Sequence, residues 1–296
     1  MLRVIHFSDP HVTVSPRSLP LRMLRGKRLV GALNQMVGRG RKHRAAEMKL
    51  EALCAFQRTW RADTLVCSGD WTVLGTAPEL EHAAQVLQPL RASAEHFYSV
   101  FGNHDDYIVD ARESARVMAR FGAWLPPAWS ADHAWPRGCA LGPHAYLIAL
   151  NSVLPRRSPL DSSGYLDTEA LGRLAERLPA LAETYPWLLV MTHYAPLRSD
   201  GQPDSPRHGL HQGAALDELL QTVPGALVLH GHLHRRFAWL GSPQTVPHFC
   251  AGSLSHAGRE GFWSYEIAAD RLRAQGMRWS GDKFINDPQQ SLELRR

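Results

Sequence analysis

The sequence predicts an α/β fold, and three observations carry that prediction. Short apolar runs recur and stop at glycine or polar residues. Amphipathic helical stretches lie between several of them. Over 296 positions, 44 % hydrophobic and 21 % charged residues suffice to bury a core, which excludes intrinsic disorder. The strand-like runs are Arg3–Phe7, Thr64–Cys67, His96–Val100, Ala145–Leu150, Trp187–Met191 and Ala226–Leu229. Ala45–Trp60 is helical, with Met48, Leu50, Leu53, Phe56 and Trp60 on a broad apolar face. Thr76-Ala-Pro-Glu opens a second helix over Pro78–Leu90, proline being tolerated in a first turn. Glu169–Leu178 and Ala214–Gln221 read as further helices. Beyond residue 235, strand-like pieces near 235–240, 246–250, 262–267 and 271–278 predict a mostly antiparallel second sheet. No repeat or linker divides the chain, so one domain over 1–296 is expected.

Cys54, Cys67, Cys139 and Cys250 stand far apart with no CxxC, as in a reducing compartment. The first residues reach Arg3 and Asp9 too early for a signal peptide, and no apolar run approaches the ~20 residues of a membrane span. A cytoplasmic protein is the expectation. Net charge is +5, but it is unevenly placed. Between Pro10 and Ala46 there is no acidic residue, while Arg17, Arg22, Arg25, Lys27, Arg28, Arg39, Arg41, Lys42 and Arg44 are all basic. Leucines, valines and methionines are interleaved with them. This amphipathic insertion, at about 15–45, reads equally well in two ways. It is a solvated loop with one buried face, or a cap for an anionic and partly apolar substrate or a membrane surface, contacted through residues 17–44.

Five strand-like runs end in metal-type ligands: Asp9 and His11; Gly69-Asp70; Gly102-Asn103-His104-Asp105; His193; and Gly231-His232-Leu233-His234. Ligands gather at the carboxyl ends of strands in open α/β sheets, so these clusters can converge. Carboxylates, imidazoles and an amide oxygen suit manganese, iron or zinc, whereas magnesium and calcium prefer oxygen alone. One GD or one histidine would mean little. Five clusters, each after a strand, mean a metal centre.

This set resembles the calcineurin-like metallophosphoesterases, and within them a bacterial branch of class III cyclic-nucleotide phosphodiesterases and glycerophosphodiesterases. The resemblance implies a four-layer α-β-β-α sandwich with two mixed sheets. It implies Asp9, His11 and His234 on one divalent ion, Asn103, His193 and His232 on a second, and Asp70 bridging them, with manganese the first guess. A metal-bridged hydroxide would attack phosphorus in line. His104 would serve the phosphate or the leaving group, oriented by Asp105. Asn103, Tyr194, Arg207 and His208 are expected to meet substrate, Tyr194 because it stands where relatives often carry a second histidine. His6 and His230 read as core residues, and His43 and His256 as surface or packing residues. Gly252-Ser253 reads first as a plain turn and second as a turn near the site.

A small phosphodiester is the expected substrate. A nucleotide-lipid pyrophosphate, received by the insertion, is the alternative. A nuclease ranks lower, because no aromatic-basic interleaving suits base stacking and no stable nucleic-acid complex is expected. A non-catalytic scaffold ranks lowest, since every ligand position is filled. Oligomeric state is left open.

Overall fold

A computed structural model describes residues 1–37, 43, 45–241 and 246–296. The chain starts with β1 (Leu2–Phe7), then two single 3-10 turns and α1 (Lys27–Val37), which together form the insertion. Next come α2 (Ala46–Trp60), β2 (Thr64–Cys67), α3 (Ala77–Arg91), β3 (His96–Ser99) and α4 (Ala111–Phe121). The middle holds β4 (Arg137–Ala140), β5 (Ala145–Ala149), β6 (Gly164–Tyr165), α5 (Thr168–Thr184), β7 (Trp187–Met191), β8 (Leu210–His211) and α6 (Gly213–Gln221). It ends with β9 (Ala226–His230), β10 (Phe237–Trp239), β11 (His248–Cys250), β12 (Gly261–Ile267), β13 (Arg271–Trp279) and β14 (Phe284–Arg295).

Two six-stranded mixed sheets result, in the orders β14-β13-β12-β1-β2-β3 and β10-β11-β9-β7-β5-β4. β1, β2 and β3 run parallel in the first sheet, as do β5, β7, β9 and β11 in the second. The strand period of two explains the layers. In β1, Leu2 and Val4 enter the core between the sheets, while Ile5 and Phe7 face the other way, toward α2, α3 and α4. In β7, Leu189 and Met191 face inward and Leu188 and Val190 pack against α5 and α6. Two sheets face to face, each backed by helices, make the α-β-β-α sandwich.

The late strands do not form a separate antiparallel sheet. β12 adds to the first sheet antiparallel to β1, β13 and β14 follow as successive antiparallel strands, and β10 and β11 extend the second sheet. An edge strand must pair with an existing edge or leave its amides open, and both sheets had edges to offer. α3 begins as expected: the Thr76 hydroxyl and the Glu79 carboxylate cap each other's backbone amides.

The insertion packs its own small core, Leu19 and Ala32 against Leu74 and Tyr107. Arg28 is buried beneath it, donating from Nε to the Leu74 carbonyl at 2.9 Å and from Nη2 to Gly75 and Glu113. That guanidinium clasps the insertion to the loop after β2 and to α4. Arg39, Arg41, Lys42 and Arg44 lie outside the described residues.

Candidate metal centre

All five ligand clusters meet at one end of the sandwich. Asp9, His11, Asp70 and Asn103 leave the first sheet; His193, His232 and His234 leave the second. The local backbone is unusual. Seven described non-glycine residues have positive φ, and five are expected ligands: Asp9 (51°), His11 (48°), Asp70 (59°), His232 (66°) and His234 (52°). Such conformations cost free energy and cluster at functional sites. Two glycines are equally constrained. A Cβ on Gly102 would collide with the Asp70 carboxylate, and one on Gly231 with Ser8 and Asp9.

Hydrogen bonds fix which nitrogens face inward. His11 donates Nδ1–H to the Thr72 carbonyl at 2.9 Å, and His193 donates Nδ1–H to the Ser68 carbonyl at 2.7 Å. Each therefore turns Nε2 toward the centre. His232 is turned the other way: its Nε2–H donates to the His208 carbonyl at 3.1 Å, so Nδ1 is bare. The inward-facing nitrogens meet other nitrogens and oxygens. His11 Nε2 lies 3.0 Å from His234 Nε2, which lies 2.9 Å from Asp9 Oδ1. His193 Nε2 and His232 Nδ1 lie 3.1 and 3.0 Å from Asn103 Oδ1. The His104 amide holds Asp70 Oδ1 at 2.8 Å, leaving Oδ2 at 3.8 Å from His11 Nε2 and 3.4 Å from His193 Nε2, between the two groups. Asp9 Oδ1 is buried with no hydrogen-bond donor. Nitrogens and oxygens gathered this closely offer a ready set of donors to cations, and mixed imidazole–carboxylate–amide sets suit divalent transition metals.

Electrostatics agree. Burial alone would raise the Asp9 and Asp70 carboxyls, yet the neighbouring histidines hold both well below the usual range. Burial opposes charge on His193, but Asp70 and Asp9 push it up to about 9. The centre favours positive charge wherever the carboxylates can reach it.

Above it opens a cleft of about 450 Å³, walled by Lys27, Val30, Gly31, Asn34 and Gln35 of α1, and by His43, Tyr107, His208, His256 and Arg259. His104 projects into it, Nδ1 donating to the Val73 carbonyl at 2.5 Å and the ring stacked on Tyr107. Burial lowers His104 to about 4, so the ring is neutral at pH 7. Lys27 Nζ sits 4.5 Å from the Tyr107 ring centre, where burial lowers its pKa and the Asp70 and Asp161 carboxylates partly offset that.

No curated protein matches the sequence. Residues 2–236 match the calcineurin-like phosphoesterase family. The chain belongs to that family. It is a metal-dependent phosphoric ester hydrolase. Solved structures share the fold at low identity. A dimetal phosphatase from Danio rerio superposes with a TM-score of 0.71 at 15 % identity, covering 99 % of this chain and 98 % of that one. A purple acid phosphatase from yellow lupin gives 0.62 at 13 %, covering 100 % of this phosphoesterase and 54 % of the lupin chain. GAP50, the anchor in the inner membrane complex of Plasmodium, gives 0.60 at 12 %, covering 99 % and 88 %.

Three expectations need correction in this phosphoesterase. Asp105 does not touch the His104 ring; it accepts the backbone amides of Asp70, Thr72 and Gly102 and the Thr72 hydroxyl. Burial, with Asp70 nearby, raises it to about 7, but four donors and no acceptor define the ionised form. Tyr194 does not face the cleft: it is buried, its hydroxyl donates to the Ser162 carbonyl at 2.6 Å, and its ring backs His232. Arg207 is exposed and does not line the cleft, whereas its neighbour His208 does. His6 and His230 are buried as expected. Ser253 donates to the Asp9 carbonyl at 2.8 Å, which places that turn beneath the first ligand. His43 and His256, read as packing residues, stand in the cleft. Nothing but their nearness to the basic insertion and to Ser253 could have marked them.

Proposed function

We propose that the chain is a phosphodiesterase with two divalent ions, Asp9, His11 and His234 holding one, Asn103, His193 and His232 the other, and Asp70 between them. The reading rests most on His104, a neutral imidazole anchored by Val73 and aimed into the cleft beside Asp70 and Asn103. Bound there, the ions supply a nucleophile from water near neutral pH and neutralise phosphate oxygens. The chain's own residues do the rest. Asn103 and His104 flank the phosphate. With Nδ1–H committed to Val73, His104 faces the cleft through Nε2, which takes up a proton from solvent before passing it to an alkoxide leaving group. Lys27, over Tyr107, receives a further anionic oxygen of the substrate. Manganese is the first candidate ion, and the four free thiols suit a reducing cytoplasm. The test is turnover of an aryl phosphodiester by protein reloaded with manganese, with Asp70→Ala and Asn103→Ala as controls. Full activity in either variant sinks the assignment.

A second reading has its own support. Leu29, Val30, Leu33, Met36 and Val37 of α1 are exposed, and Val30 also lines the cleft. A lipid-linked pyrophosphate would lay its acyl chains over that face. Leu33→Ser with Met36→Ser should then impair turnover of micellar nucleotide-lipid substrates but not of small diesters.

A further inference from the structure

We propose that His43, supplied by the insertion, is an additional ligand of the first metal ion; this rests on the two-ion reading above. The donor atoms of His11, His43 and His234 lie within 4.8 Å of one another, and so do those of Asp9, His11, Asp70 and His234. The two groups share His11 and His234, which places His43 next to the donors expected for the first ion. The His43 ring stands 4.5 Å from His11 and 5.9 Å from His234, centre to centre.

Its tautomer is set in the way that suits a ligand. His43 Nδ1 meets Ser255 Oγ at 2.6 Å, and that hydroxyl lies 3.3 Å from the Asp9 carbonyl, which can only accept. The serine proton therefore goes to Asp9, and the serine oxygen accepts from His43 Nδ1–H. Nε2 is left with its lone pair. His11 and His193 are arranged identically, Nδ1–H on an oxygen and Nε2 toward the centre, and such outer partners are what orient ligating histidines. Because Ser255 also touches the backbone of Asp9, one hydroxyl positions two donors of the same ion. An ion held so ties the insertion to both sheets.

The test is cobalt(II) binding to metal-free protein, followed by chelator competition and visible absorption. Wild type should take up two ions. His43→Ala and His43→Gln, checked for folding by circular dichroism, should weaken one ion by about 10-fold or more, the scale on which even outer partners act, and leave the other unchanged. The cobalt absorption should strengthen as one donor is lost, and added imidazole should restore it for His43→Ala. Ser255→Ala should weaken the same ion. Two ions at wild-type affinity with an unaltered spectrum in both His43 variants would overturn the ligand role while leaving the two-ion reading intact. A wild type that binds no cobalt would overturn both.

Discussion

At the residue scale, the convergence of the expected ligand positions was readable because each follows a strand, and strand ends converge whatever their sequence separation. The tasks of individual side chains were less readable. Val73 rather than Asp105 holds the His104 ring, since a backbone carbonyl is available at every position and leaves no trace in the sequence. Tyr194 follows an expected ligand, yet it lies past the end of β7 and its hydroxyl is drawn to the Ser162 carbonyl, which buries it away from the cleft. Two predictions belong here. His104→Asn should lower kcat by about 10²–10⁴-fold for alkyl esters and much less for aryl esters, with metal content unchanged. Steady-state kinetics on a leaving-group series measures this. Asp105→Ala leaves three buried amides without an acceptor, each costing about 1–3 kcal/mol, so the protein should be strongly destabilised in urea titrations. Unaltered stability would mean that water replaces the carboxylate.

At the element scale, the strands and helices of the α/β core matched their apolar periodicity to within a few residues, apart from α5, which runs on to Thr184. α4 and β14 were not foreseen. Among the residues of α4 only Val117 and Phe121 are buried, too few to draw a stripe through ARESARVMARF. β14 lies at a sheet edge, alternates weakly and contains Pro288, a residue that edges tolerate and central strands do not. The insertion carried its charge openly, but sequence could not separate solvated arginines from Arg28, which is buried. Arg28→Met should free the insertion: trypsin should cut it faster than in wild type, and kcat/KM should fall because Lys27 and Asn34 lose their placement. Acid should act on the same clasp. Burial raises the Glu113 carboxyl, but Arg28 and Arg116 outweigh it and hold it below its usual value. Its contribution is thus complete above the ordinary glutamate pKa of about 4.3 and disappears as pH falls further, through the depressed value. Proteolysis of the insertion by pepsin, followed from pH 5 downward, should accelerate in wild type and stay level in Arg28→Met.

At the scale of the whole molecule, the proposed ligands of each ion come from both sheets: Asp9 and His11 face His234, and Asn103 faces His193 and His232. Ions held by residues that only the folded chain brings together would stabilise it, so chelation should lower the melting temperature. Restoring metal at 1,000 times its dissociation constant should return about 4 kcal/mol per ion. Scanning calorimetry with and without chelator gives the answer, and an unchanged melting point would contradict the ligand set.

Asp9 and His234 stand at opposite ends of the motif, with 224 residues between them. An ion joining them is a reversible cross-link across most of the polypeptide, and it can form only after both sheets have assembled and their strand ends have met. Metal therefore arrives too late to guide folding. Its effect should fall on escape from the native state: the unfolding limb of a denaturant chevron should slow with added ion while the refolding limb stays put.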